Sequence, residues 1–165
     1  MMERAAFEVL WTLGDAEWER ARKHRAEHPP QSNYDARGLA FYYLLNGNFD
    51  LRVDAAYVYK NEGGPVNISL LDFADFAASV LAGGFTDTFV EYEQRDDDRK
   101  IRFDLAASTV QISASDSRST LRVSREELLA GLKNFLTSLA LAIEREAPSL
   151  FDWSTVQPIS AYRHL

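Results

Sequence analysis

The sequence predicts an α+β fold, an antiparallel sheet of about six strands with helices packed mainly on one face, and three observations lead there. From Ser124 to Pro148 apolar residues recur every three or four positions, the period of a helix covering a core. Between Thr86 and Val123 short alternating segments follow one another across turns of Asp, Ser and Ala, the pattern of an antiparallel meander. The chain has 165 residues, one domain by length and enough to bury a core without disulfides or metals. Residues 1–38 are expected to attach more loosely than the rest.

Taken in order, Phe7, Val9, Trp11 and Leu13 alternate as a strand does, although Ala5, Ala6 and Leu10 also permit a helix. Asp15 is a good N-cap for a helix over Ala16 to His28, rich in helix formers. Pro29 to Gly38 reads as a polar, mobile connection. Leu39–Leu45 and Asn48–Tyr59 flank Asn46-Gly47, the dipeptide favoured in two-residue hairpin turns, so they are expected to pair. Phe49, Leu51, Val53, Ala55, Tyr57 and Tyr59 then share one face, with Asp50, Arg52 and Asp54 on the other. After a turn at Lys60–Pro65, Ser69 and Asp72 cap a helix over Leu70–Leu81, its stripe made by Leu70, Phe73, Ala77 and Val80 and its end by Gly83-Gly84. Strands follow at Thr86–Gln94, Lys100–Leu105, Thr109–Ala114 and Thr120–Val123, the first two joined by a turn at Arg95–Arg99. The closing helix opens with the capping box Ser124-x-x-Glu127 and buries Leu128, Leu132, Phe135, Leu139 and Ile143. Beyond Ser149, Phe151, Trp153, Val156 and Ile159 are expected to fold back on the body, because together they would be an exposed apolar patch.

The net charge of −7 is concentrated. From Asn67 to Asp98 a single positive residue, Arg95, stands against Asp72, Asp75, Asp87, Glu91, Glu93, Asp96, Asp97 and Asp98, and the rest of the chain balances. Such a stretch repels nucleic acid and anionic lipid and speeds association with a basic protein; the plain alternative is a solvated face that keeps the protein soluble. No run approaches the length of a membrane span, and the opening Met-Met-Glu-Arg lacks a clean apolar signal region, so a cytoplasmic location is expected. With no cysteine, a disulfide scaffold, a thiolate zinc site and a thiol nucleophile are excluded.

Few residues carry a chemical signal. His24 and His28 stand one helical turn apart, a spacing that can present two nitrogens to one metal, but Arg25 follows where a H-E-x-x-H motif has Glu. Arg22 and His28 form an Arg-x5-His spacing that resembles the ribonuclease motif of HEPN domains; in that family it lies in an all-helical bundle, whereas here it precedes a run of strands. Glu91 and Glu93 share one face of a strand, which acid-base chemistry or a divalent cation requires and which a solvated sheet face also produces. Tyr92, between them, points the other way. Asp96-Asp97-Asp98 lacks the Gly and distal Glu of a calcium loop. No nucleophile elbow or nucleotide-binding glycine motif is present.

The span from about Phe41 to Phe151, with Tyr43-Leu-Leu-Asn-Gly-Asn-Phe-Asp-Leu-Arg-Val53, the helix opening Leu70-Leu-Asp-Phe-Ala74 and the closing Glu127-Leu-Leu-Ala-Gly-Leu-Lys-Asn-Phe135, resembles an uncharacterised family of small bacterial proteins that are similar to acidic immunity proteins. The resemblance implies an inhibitor of a basic toxin or effector, without cofactor or catalytic residues. The expected function is therefore a non-enzymatic acidic protein-binding module that meets a basic partner, neither nucleic acid nor membrane, through Asp87, Glu91, Tyr92, Glu93, Asp96, Asp97 and Asp98. The alternative is a small enzyme or metal-binding protein using the carboxylates Glu91 and Glu93, or His24 and His28. Carboxylates converging with a histidine in a cleft would favour the second, and their gathering on a convex face the first.

Overall fold

The computed structural model describes residues 6–59, 68–83, 85, 88–93, 100–115 and 120–164. In chain order they form β1 (Phe7–Thr12), α1 (Asp15–Glu27), α2 (Asn33–Ala36), α3 (Ala40–Tyr43), β2 (Asn46–Val53), β3 (Ala56–Tyr59), β4 (Ile68–Ser69), α4 (Leu70–Gly83), β5 (Phe89–Glu93), β6 (Lys100–Ala106), β7 (Thr109–Ala114), β8 (Thr120–Ser124) and α5 (Arg125–Glu146). Two 3₁₀ segments, Pro148–Asp152 and Gln157–His164, follow.

The fold is α+β with antiparallel pairing, but the single sheet of about six strands expected from the sequence is divided into two. The first has the order β1-β2-β3, with β4 adding two residues to the start of β2; the second is the meander β5-β6-β7-β8. The division has a packing cause. Helix α4 lies between β4 and β5 in the chain and sets Phe73 against Phe49 of the first sheet, ring centroids 4.6 Å apart, and against Tyr92 of the second, at 5.0 Å. β5 therefore meets a helix where a continuous sheet would offer a strand.

In both sheets period-2 alternation separates an inner from an outer face. Phe7 with Val53, Val9 with Leu51 and Trp11 with Phe49 face inward across β1 and β2, and Tyr92 with Ile101, and Val90 with Phe103 and Ile112, do so in the second sheet. α4 and α5 pack on these inner faces. The outer faces carry Glu8 opposite Arg52, and Glu91 opposite Arg102. α5 is capped as its sequence predicts, Ser124 Oγ accepting from Glu127 N at 3.1 Å. It approaches β1 so closely at Gly131 that a Cβ there would lie 2.3 Å from Phe7 O.

The expected Asn46-Gly47 hairpin is overturned. Leu39–Leu45 is not a strand: Ala40–Tyr43 is a helical turn, and Asn46 and Gly47 open β2 and pair with Ser69 and Ile68. Long-range pairing with β4, continued by β1 from Asn48 onward, overrides the local turn signal, and the glycine is required for another reason, since a Cβ on Gly47 would sit 2.4 Å from Thr12 O. The turn lies at Asp54-Ala55, splitting the predicted strand Asn48–Tyr59 into β2 and β3, with Asp54 at φ 53°, a conformation Asp tolerates better than most residues. Phe49, Leu51 and Val53 are buried as expected, whereas Ala55 is exposed in the turn.

Within the segment expected to attach loosely, described residues 6–37 make several contacts with the rest of the fold. β1 pairs with β2 over six residues. Arg22 donates to Glu146 O, and Arg25 to Ser149 O and Asp152 Oδ2. In the presumed mobile connection Asp35 is buried, its carboxylate accepting from the N–H groups of Gln31, Ser154 and Thr155 and from the hydroxyls of Ser154 and Thr155, all within 3.2 Å. Of the tail residues expected to fold back, Trp153, Val156 and Ile159 are buried and Phe151 is half-buried, with Leu150 buried beside them. Burial alone would push the Asp35 carboxyl up, but these donors hold it below the usual carboxylate range.

Two expectations follow. Gly131→Ala loses about 1–3 kcal/mol in chemical denaturation because β1 backbone, not a flexible side chain, blocks the methyl; Gly83→Ala, where nothing lies within 4 Å, stays within about 1 kcal/mol of the parent. Asp35→Ala costs about 2–4 kcal/mol by orphaning buried donors. Because the folded value of Asp35 is depressed, its stabilisation is complete above the unfolded carboxylate range and disappears as pH falls through the folded value. Acid unfolding below about pH 4 should therefore narrow the gap between parent and Asp35→Ala; a constant gap would contradict this.

Candidate functional site

A groove runs between α4 and β5. One end is a cleft of about 420 Å³ lined by Asp72, Asp75, Phe76, Ser79, Glu91, Tyr92 and Glu93. It continues through shared Phe76, Ser79 and Glu91 into a second hollow of about 420 Å³ lined also by Val80, Gly83, Phe85, Phe89 and Val90. One end is thus carboxylate-rich and the other apolar.

Helical spacing builds one wall. Asp72, Asp75 and Ser79 lie three and four residues apart, on the side of α4 adjoining its buried stripe of Leu70, Phe73, Ala77 and Val80. Ser69 holds the start of the helix, its hydroxyl donating to Leu44 O at 2.8 Å and accepting from Asp72 N at 3.4 Å. β5 builds the other wall. It pairs with β6 and, among the described residues, with no other strand.

The sequence-predicted site residues separate by strand parity. Glu91 and Glu93 lie on the outer face and are exposed, opposite Arg102 and Lys100, with Lys100 Nζ reaching Glu91 diagonally at 3.9 Å. Such exposed cross-strand pairs contribute little stability, but they lower the negative potential of this face. Tyr92 turns inward, 4% exposed, its ring among Phe49, Phe73 and Phe76. Its hydroxyl donates to Asp72 Oδ2 at 3.1 Å on the cleft floor. Tyr92 accordingly orients a carboxylate and offers little ring surface to a partner. Asp87, Asp96, Asp97 and Asp98 lie outside the described residues. Asp72 and Asp75, counted from the sequence in the acidic stretch and Asp72 also as a cap, were not named as site residues; their spacing beside an apolar stripe was the available signal.

His24 and His28 lie elsewhere. Their rings stack at 5.9 Å, His28 stacks on Tyr34 at 4.3 Å, and Tyr34 leans on Trp153 at 5.2 Å, with Trp153 Nε1 donating to His28 O. Burial, then the Arg20 charge, lowers the His24 pKa. No cluster of three or more metal-ligating side chains occurs among the described residues. Arg22 of the Arg-x5-His spacing grips the end of α5 through Glu146 O. The Tyr34 hydroxyl is buried without a hydrogen-bond partner among the described residues, and burial pushes its pKa up to about 12.

No described helix is long and apolar enough to cross a membrane. Comparison with protein-family models, with curated proteins and with solved structures finds no match.

Because its hydroxyl is buried without a hydrogen-bond partner among the described residues, Tyr34→Phe should be neutral or stabilising by up to about 1 kcal/mol. A thermal or denaturant midpoint showing a larger loss would reveal a polar role for that hydroxyl.

Proposed function

We propose that the protein is a non-enzymatic binding module that receives a basic segment of another protein in the α4–β5 groove, the mode of action of an immunity-type inhibitor. The observation that carries this reading is the convergence of carboxylates from two separate elements, Asp72 and Asp75 from α4 and Glu91 and Glu93 from β5, at one end of a groove whose other end is apolar. Carboxylates at the mouth of a cleft steer a cationic group in and fix its orientation, while the apolar end supplies area to desolvate. The same charge disfavours nucleic acid, whose phosphates it repels.

An acid-base enzyme is supported less well. The carboxylates do converge in a cleft, as that alternative requires, but the histidines expected to join them stand in the ring stack on α1. Asp72 already receives a hydrogen bond from a core tyrosine, which suits a fixed charge better than a proton carrier.

Titration calorimetry with a short lysine- and arginine-containing peptide tests the proposal. Affinity should fall steeply with added salt, and Asp72→Asn/Asp75→Asn should weaken binding about tenfold or more. Binding indifferent to salt and to both substitutions would refute it.

A further inference from the structure

The groove wall formed by β5 is a strand edge, and the register shows which way its backbone points. Leu105 N donates to Thr88 O at 2.8 Å, and Phe89 stands opposite Asp104. In an antiparallel ladder, hydrogen-bonded and non-bonded pairs alternate. Thr88/Leu105 being a bonded pair, Val90/Phe103 and Tyr92/Ile101 are the next. The amides and carbonyls of Phe89, Glu91 and Glu93 therefore point away from β6, along the groove.

The dimensions match a short extended chain. α4 runs from Asp72 to Gly83 over about 16 Å at 1.5 Å per residue, and the five residues of β5 at about 3.3 Å each cover a similar length. The two walls run in opposite directions, since Asp72 shares its end with Glu93 and Gly83 shares its end with Phe89. Helix and strand edge together form the kind of slot in which an extended peptide adds one strand to a sheet.

Resting on the binding reading above, we infer that the occupant is an extended segment of a partner protein that pairs with the edge of β5 that no strand covers among the described residues, as a fifth strand of the second sheet. Its sequence is fixed by both walls. At one end, side chains turned toward α4 meet Asp72 and Asp75, and those turned outward meet Glu91 and Glu93, so consecutive residues there are Lys or Arg. At the other end the inward side chains meet Val80 and Phe85 and the outward ones Phe89, whose ring already carries the Arg102 guanidinium 3.9 Å from its centroid; consecutive residues there are apolar. A second copy of this chain does not fit the slot by the same edge, because antiparallel pairing centred on Glu91 would set that residue against itself and like charges directly opposite are destabilising.

The test uses two seven-residue peptides, acetylated and amidated: Lys-Arg-Thr-Lys-Val-Ile-Val and the same residues in reverse order. One of the two binds in calorimetry. N-methylation at alternate backbone nitrogens of that peptide abolishes binding for one set of positions and leaves it within a few-fold for the other. Glu91→Pro, which removes an outward N–H that β6 does not use and which edge strands accept, weakens binding about tenfold, with circular dichroism reporting that the variant is folded. Equal tolerance of both methylation sets overturns strand addition without touching the binding proposal, provided Asp72→Asn/Asp75→Asn still weakens the peptide. Insensitivity to that double substitution overturns both, and so does failure of both peptides to bind at millimolar concentration.

Discussion

Among the described residues the two sheets share no backbone ladder, and a cluster of aromatic rings joins them. Phe49 from β2, Phe73 and Phe76 from α4, Tyr92 from β5, Phe103 from β6 and Phe135 from α5 make successive contacts with centroids 4.6 to 5.8 Å apart. Each ring contributes burial and a preferred tilted or edge-on geometry. Their combined effect is positional. α4 is held with its apolar stripe facing inward against both sheets, which leaves Asp72, Asp75 and Ser79 alongside the edge of β5.

Function, on this account, is a consequence of packing. A helix that entered the core fully would close the groove, and one that covered only the first sheet would leave β5 an open edge without a second wall. The hydrogen bond from Tyr92 to Asp72 ties the two levels together, because the same residue closes the aromatic cluster with its ring and orients a cleft carboxylate with its hydroxyl. A second fastening, through Asp35, joins the N-terminal third of the chain to the segment after α5 and holds α1 and its histidines in place.

Much of this was legible in the sequence wherever one element's own periodicity decided the outcome. The stripe of α5, the cap and stripe of α4, the meander from β5 to β8 and the inward turn of Tyr92 between two outward glutamates all follow from spacing alone. What remained hidden depended on distant partners. Gln31-Ser-Asn-Tyr-Asp35 has the composition of a solvated loop, and the groups that bury Asp35 lie 119 and 120 residues away. Asn46-Gly47 is a strong local turn signal defeated by pairing with the distant β4. Alternation marked which residues face a core but not which strands are neighbours, so the division into two sheets was not readable. At the site, β5 supplied recognisable carboxylates, whereas the opposing wall from α4 emerged only when the helix was placed.

The most direct measurement is amide hydrogen exchange, residue by residue, along β5. The account predicts slow exchange at Val90 and Tyr92, whose amides bond to β6, fast exchange at Phe89, Glu91 and Glu93 in the free protein, and protection of those three when a basic, apolar peptide is added. Glu91 and Glu93 amides as slow as their neighbours in the free protein would contradict it, because the edge would then already be filled.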